Sequence, residues 1–365
     1  MGGSANNQWA SSTHIPALQR LQKFRITAIG TTRMESAEKS ASLYGVPHAF
    51  ADSSELSQHP DVDMVLVSGK VPGHYDAVIA ALNAGKHVYC EWPLGLNTLQ
   101  AIEMNRLALE KKVQTAVGLQ ARQAPEVNFV KDLIAQGYIG SVLSCHLKIS
   151  TTAKGGTTNE ASTYLLKQSN GANLLPINAG HAIDALCYML GDFKELSATI
   201  ANQIKHAKVL ETGEMIEKTT ADQILINGTL KNGAAASIHV QGGIPFRFRT
   251  GVSFEIYGTE GVIGLSNESA YGQLQWGNLK IEGRNISNHG NSSTLDVLSI
   301  PEQYRWVPDT IPGGPILNVA QALEKFGKDI LEGTQDVPNF GDAVKLHVLL
   351  DLIQKAANTG VRQVL

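Results

Sequence analysis

The chain has 365 residues, too many for one ordinary core and enough for two domains. With 43% hydrophobic and 17% charged residues it belongs among folded globular proteins, and a net charge of −3 gives no electrostatic footprint for direct nucleic-acid contact. No apolar run reaches the roughly 18–20 residues that cross a membrane. The start shows no basic segment followed by an apolar one, and the sparse cysteines Cys90, Cys145 and Cys187 form no CxxC pair, so a reducing, cytoplasmic setting with buried thiols is expected.

In chain order, the first third alternates strands and helices. Trp9 to Leu21 reads as a helix, Phe24 to Ile29 as a strand, and Met34 to Leu43 as a helix before Gly45. Asp63 to Ser68 is a near-continuous apolar strand of the kind buried in parallel sheets. A helix over Tyr75 to Ala84 stops at Gly85, a good C-cap, and His87 to Cys90 is the next strand. Leu99 to Glu110 is helical, Val113 to Leu119 extended, and Val127 to Gln136 helical up to Gly137. Strands separated by helices of this length predict βαβ units.

Near Gly140 the period changes. Val142–Ser150, Glu195–Asn202, Ala221–Leu230, Ala234–Gln241, Val252–Tyr257 and Gly261–Leu265 read as strands, interrupted by one helix from His181 to Leu190. Asn232-Gly233 between two of these runs predicts a hairpin. Ser266 to Asp309, rich in Asn, Ser and Gly, reads as an irregular excursion, and helices over Pro315–Glu332 and Phe340–Asn358 close the chain. The domains are expected at 1–139 and 140–365.

Several segments carry a resemblance. They are Gly3-Ser-Ala-Asn-Asn-Gln-Trp-Ala10 with His14-Ile-Pro16, Glu91-Trp-Pro-Leu-Gly95, and Gly118-Leu-Gln-Ala-Arg122. Further on come Ile139-Gly140, Gly180-His181-x-x-Asp184-x-x-x-Tyr188, Gly228-Thr-x-x-Asn-Gly233 and Ile256-Tyr-Gly-Thr-Glu-Gly261. In this order they resemble the glucose–fructose oxidoreductase, inositol dehydrogenase and MocA (Gfo/Idh/MocA) family, and within it the Gal80-like branch. The resemblance implies an α/β fold: a Rossmann-like parallel sheet followed by a second α+β domain on a mostly antiparallel sheet. In the family an apolar strand precedes the glycine-rich turn. Here the sequence begins at that turn, so the first strand is expected to be missing and its place in the sheet left open.

The same resemblance implies a dinucleotide site. Gly3, Ser4, Ala5 and Asn6 would form the phosphate turn. Thr31 and Arg33 follow the strand whose end usually carries an acidic residue for an NAD ribose; an arginine there points to NADP, with NAD as the alternative. Gly69, Lys70 and His74 would lie against the cofactor, although Lys70 reads equally well as a surface lysine. Glu91, Trp92 and Pro93 replace the family's Glu-Lys-Pro, and the Trp92–Pro93 bond is expected to be cis. Tryptophan cannot act as an ammonium does, but its ring could stack on a nicotinamide or sugar. Four residues before His181 the family's aspartate is replaced by Ile177, beside Asn178. His181 is thus the one ordinary proton carrier left, and Gln120, Arg122, Asn178 and Asp184 are the expected substrate contacts. Arg122 could equally be a salt-bridged structural arginine, and His181 a structural histidine. No ligand spacing for a metal stands out.

Two functions follow from the resemblance. One is an NAD(P)-dependent oxidoreductase acting on a sugar or another hydroxylated or ketonic small molecule. The other is a non-catalytic, dinucleotide-binding transcription regulator of the Gal80 type, whose partner would be a transcription activator. A homodimer is the family expectation.

Overall fold

The computed structural model describes residues 1–5, 9–246, 250–270, 272–286 and 294–365. Two compact units emerge, each made of two chain segments: Met1–Gln123 with Arg305–His347, and Ala124–Tyr304 with Val348–Leu365. This division differs from a single cut after residue 139.

In the first unit the strands are β1 (Ala28–Gly30), β2 (His48–Phe50), β3 (Met64–Val67), β4 (His87–Glu91) and β5 (Thr115–Gly118), and every pairing among them is parallel. Helices α2 (Met34–Tyr44), α3 (Ser53–Gln58), α4 (His74–Asn83) and α5 (Thr98–Lys111) provide the crossovers. The strands form two sheets, β1-β2 and β3-β4-β5, and no described ladder joins β1 to β3. The place of a strand between them is therefore open, as the sequence suggests. Residues Met1 to Gly3 bridge only its upper end. The Met1 amine donates to the Leu66 carbonyl (2.6 Å), Ser68 N–H donates to the Met1 carbonyl (3.0 Å), and the amides of Gly2 and Gly3 donate to the Gly30 carbonyl (2.9 and 3.2 Å). Below them lies a cavity of about 110 Å³ whose lining includes Leu18, Phe24, Ile26, Ala28, Met64 and Leu66.

The gap corrects one boundary. The run from Phe24 to Ile29 is apolar enough for a strand, yet only Ala28–Gly30 pairs. Without a neighbour on the open side, residues 24–27 have no ladder to join. The first helix is also irregular: a π-helical turn at Ala10–His14 leads into α1 (Ile15–Leu18). Helix α8 (Pro315–Glu332) belongs to this unit because its stripe of Ile316, Val319, Ala320, Leu323 and Phe326 joins the core around Tyr89 and Ala116.

The second unit opens with α6 (Pro125–Ala135) and is built on a nine-stranded sheet. Its strands are β6 (Val142–Ser150), β8 (Phe193–Ala201), β11 (Gln223–Leu230), β12 (Ala235–Gln241), β13 (Gly251–Gly258), β14 (Gly261–Asn267), β15 (Lys280–Asn285), β16 (Asp296–Val297) and β17 (Gln363–Val364). The order is β16-β15-β14-β13-β6-β12-β11-β8-β17, and every pairing is antiparallel except β12 with β6. The predicted hairpin joins β11 to β12, with Gly233 at φ +93° where a side chain would be strained. One expectation is corrected. The stretch from Ser266 to Asp309 contains β15 and β16, which extend the sheet. A small sheet of β7 (Thr157–Thr158), β9 (His206–Val209) and β10 (Met215–Glu217) comes from short strands that carry too little periodicity to be seen in sequence. Helix α7 (Gly180–Leu190) follows a π-helical turn at Leu174–Ala179, and α9 (Phe340–Thr359) runs from the first unit into the second. No described helix is long and apolar enough to cross a membrane.

Candidate functional site

The C-terminal ends of the parallel strands gather the predicted cofactor residues of the first unit. Gly2, at φ +86°, passes so close to the loop after β3 that a Cβ on it would stand 2.5 Å from the Gly69 nitrogen; a Cβ on Gly3 would sit 3.1 Å from Ile29 Cγ2. At Gly2 only glycine lets the turn cross, since a side chain would strike backbone, while at Gly3 the Ile29 methyl would have to give way. Ala5 N–H is held by the Ser40 hydroxyl of α2 (2.9 Å). Ser4 belongs to the same turn, and Asn6 lies outside the described residues. Thr31 is buried, its hydroxyl turned inward to the Arg33 carbonyl (2.8 Å) and to Ser36. It therefore shapes the turn that delivers Arg33, which is exposed at the start of α2. Glu35 stands in the first turn of the same helix.

Beyond β3, Gly69 and Lys70 are exposed and His74 is buried. The His74 ring ties two loops together, with Nδ1 2.9 Å from the Pro93 carbonyl and Nε2 3.0 Å from that of Gly69. Only an imidazolium could donate to both, yet burial outweighs the two carbonyls and holds the ring's pKa below 6.5. The Trp92–Pro93 bond is cis, as expected. Glu91 is buried, and its Oε1 lies 2.8 Å from His14 Nε2. It leaves no room for a Cβ on Gly118, which would approach Glu91 Oε1 to 2.8 Å. The Trp92 ring is buried against the His347 ring, with centroids 4.6 Å apart. His347 has its pKa pulled down to about 4 by burial. Gln120 is buried with Oε1 lacking a hydrogen-bond partner, and Arg122 lies 3.6 Å from Asp342 of α9.

His14 and His347 complete this region, and neither was singled out as a site residue from sequence. His14 stands in a quoted motif, His14-Ile-Pro16, so a signal existed. His347 has none, because it lies about 250 residues downstream of Trp92 in an ordinary amphipathic helix.

The second unit contributes a separate polar group. Asn178, His181 and Asp184 follow one another at intervals of three along the run from the π-turn into α7, and all are buried. Asn178 Oδ1 and His181 Nδ1 lack hydrogen-bond partners. Burial lowers the His181 pKa to about 3, so the ring is neutral at physiological pH. This has a consequence for stability. Between pH 6.5 and 3 the unfolded chain takes up a proton that the folded ring refuses, so stability present above pH 6.5 is lost as pH falls. At pH 5 the cost is about 2 kcal/mol. Denaturant unfolding of wild type and His181→Gln at pH 7.5 and pH 5 checks it; the variant should lose less stability on acidification.

These features find counterparts among known proteins. Residues 6–119 match the family model described as oxidoreductase family, NAD-binding Rossmann fold, and residues 125–267 match that of the Gal80p C-terminal domain. The galactose/lactose metabolism regulatory protein GAL80 of Kluyveromyces lactis is 30% identical over 316 residues, covering 80% of this chain and 68% of the relative. The chain is a Gal80-like member of the Gfo/Idh/MocA family. A crystal structure of a super-repressor mutant of Gal80p from Saccharomyces cerevisiae superposes with a TM-score of 0.86 at 25% identity, over 99% of this chain and 95% of that one. Levoglucosan dehydrogenase of Pseudarthrobacter phenanthrenivorans is 25% identical over 343 residues, covering 90% of this chain and 86% of the relative. A levoglucosan dehydrogenase structure holding NADH and L-sorbose shares the fold, with a TM-score of 0.86 at 22% identity over 100% of this chain and 97% of that one. The family thus contains both dehydrogenases and Gal80 regulators on one NAD-binding framework.

Proposed function

We infer that the protein is an NAD(P)-dependent oxidoreductase that reduces or oxidises a sugar or another hydroxylated or ketonic small molecule. The observation that carries this reading is the pair of buried, unpartnered polar atoms on adjacent turns, Asn178 Oδ1 and His181 Nδ1. A buried polar atom without a partner costs free energy, and proteins keep few of them. A substrate hydroxyl would satisfy both, donating to Asn178 Oδ1 and accepting from His181 Nδ1–H, and a substrate carbonyl would satisfy the latter. Bound nicotinamide supplies or accepts the hydride. The chain's own contribution is to orient the substrate oxygen and to manage its proton.

His181 suits that task in a particular way. Being neutral, it donates Nδ1–H to a carbonyl oxygen and polarises it, a role a neutral imidazole fills without first gaining a proton. The tight turn at Gly2 and Gly3, whose own amides are taken by the Gly30 carbonyl, would bring the backbone that follows it close to a pyrophosphate, and Gly69, Lys70 and the Glu91–Trp92–Pro93 turn would flank the rest of the dinucleotide. Arg33 favours NADP over NAD. Arg33→Ala should weaken NADPH binding by about tenfold, the loss of a charge-assisted bond of 1.5–3 kcal/mol net of solvent screening, and leave NADH nearly unchanged in a fluorescence titration. Equal weakening of both cofactors would refute the assignment.

A second reading, a Gal80-type regulator that binds a transcription activator, is favoured by the replacement of the family lysine and aspartate by Trp92 and Ile177. Absorbance at the nicotinamide band, followed across a panel of sugars and ketones with NADH and NADPH, decides between them. Turnover on any member supports the enzyme; silence across the panel together with tight nucleotide binding supports the regulator. In either case a cytoplasmic homodimer is proposed. The uncovered face of the nine-stranded sheet, with Leu225 and Tyr257 exposed on it, supports the pairing, and sedimentation velocity measures it.

A further inference from the structure

At the opposite end of β1 from the glycine turn, three side chains from β2 and the loop after α3 converge. His48 opens β2, while His59 and Asp61 stand in the loop that leads from α3 to β3. A ligating atom from each lies within 4.8 Å of the other two. His48 Nε2 is 3.3 Å from Asp61 Oδ2, and the His48 and His59 rings are 4.1 Å apart between centroids. We propose that His48, His59 and Asp61 form a binding site for a divalent transition metal of the Zn²⁺ type.

The donor set is the first argument. Two imidazoles and one carboxylate suit Zn²⁺, with water completing a tetrahedron. Ligand atoms about 2.0–2.2 Å from the metal stand roughly 3.3–3.5 Å from one another in that geometry, and the His48–Asp61 separation already meets this distance. The second argument is support behind the ligands. His48 N–H donates to the Thr27 carbonyl (3.3 Å), while the Thr27 hydroxyl donates to the Asp61 carbonyl (2.9 Å). His59 packs edge-on against Phe50 of β2 (5.6 Å); the Asp61 N–H that lies 3.3 Å from His59 Nδ1 gives up that bond when the ring ligates. One residue, Thr27, thus fixes the backbones of two ligands, as outer-shell groups do in metal sites. The third argument is access. His48 and His59 are partly exposed and Asp61 is exposed, so a hydrated ion can enter.

The placement gives the ion something to do. His48 belongs to the β1-β2 sheet, and His59 and Asp61 lead into β3 of the other sheet. No described strand pairing joins these two sheets. An ion held by all three ligands cross-links them at the end of the open slot away from Met1–Gly3, remote from the predicted cofactor residues.

Tag-free protein, stripped with chelator, is titrated with Zn²⁺ by calorimetry and with Co²⁺ by visible absorption. One ion per chain, a d–d band of tetrahedral intensity with Co²⁺, and a raised melting temperature with Zn²⁺ are expected. His48→Ala, His59→Ala and Asp61→Asn should each weaken binding by about 10–100-fold or more, and the conservative Asp61→Glu should restore part of it. Because the ligands sit at the surface, the variants are expected to keep the unloaded protein's melting temperature. If one of them lowers it, anomalous scattering at the zinc edge in wild-type crystals replaces that comparison, with a peak among the three side chains expected. The proposal is overturned by absence of a Co²⁺ band, by binding that survives the His48→Ala/His59→Ala double variant, or by a zinc peak elsewhere only.

Discussion

Replacing His181 by alanine should lower kcat by about 10²–10⁴ while leaving the nucleotide dissociation constant unchanged. The size follows from the inventory of groups that can handle a proton. Trp92 does not titrate, and Arg122 keeps its charge near Asp342. His14 is engaged with Glu91, and His74 with the Pro93 and Gly69 carbonyls. Among Trp92, Gln120, Arg122 and His181, His181 is the ordinary proton carrier, and its Nδ1 is uncommitted. Its pKa of about 3 adds a second, independent signature. An imidazole acting at its ordinary pKa puts a limb into the pH profile near 6.5. His181 should put none between pH 5 and 9, because the ring stays neutral across that range. Steady-state kinetics of wild type and His181→Ala from pH 5 to 9 tests both. A limb near 6.5 that disappears in the variant would contradict the neutral-ring role, and a wild-type rate in the variant would remove His181 from the chemistry. His181→Gln keeps a donor but cannot relay a proton, and should recover polarisation only in part.

The same protein reads differently at different length scales. Helix α8 was visible residue for residue, because Pro315 starts it, Gly333 stops it and a 3.6-period stripe runs between them. Six strands of the nine-stranded sheet, β6, β8 and β11 to β14, were visible to within about two residues, since each alternates buried and exposed positions, whereas β15, β16 and β17 were not read. The discontinuity of the units was not visible. Nothing local tells that residues 305–347 pack under Tyr89 and Ala116; that depends on which apolar surfaces find each other after the chain has turned back. The candidate cofactor residues could be named from sequence because glycine turns and the Glu91–Trp92–Pro93 segment are local in sequence. The Trp92–His347 contact and the His48–His59–Asp61 cluster were not, since their members meet only in the folded chain. The unusual pKa of His181 could not be read either. It comes from complete burial, whereas the sequence shows only a histidine at a helix start.

The largest structural effect should come from filling the slot between β1 and β3. A form carrying six or seven further residues of strand-forming apolar type ahead of Met1 should be more stable by about 3–5 kcal/mol. The cavity alone, at about 110 Å³, accounts for roughly 2–3 kcal/mol on the usual dependence of stability on empty volume. The Met1 amine supplies another part. It is buried beside Leu66, and burial lowers its pKa from 8.0 to about 6. The unfolded amine therefore binds a proton that the folded one gives up, and stability present above pH 8 is lost as pH falls toward 6, about 1 kcal/mol of it by pH 7. An extension turns that amine into a peptide N–H at Leu66 and removes the penalty. Its direction is already set: Met1, Gly2 and Gly3 hold the carbonyl and amide positions at the C-terminal ends of β3 and β1, so a segment leading into them must run parallel to both. Paired on two sides, it would anchor the glycine turn, and nucleotide binding should tighten with it. For a unit the size of Met1–Gln123 with Arg305–His347 each kcal/mol raises the melting temperature by roughly 2–4 °C, so a gain of about 6–20 °C in that unit's transition is expected, along with slowed amide exchange at Ile29 and Leu66. An extension of equal length built from Gly and Ser controls for length. If both forms melt together and bind NADH and NADPH alike, the slot does not accept a strand.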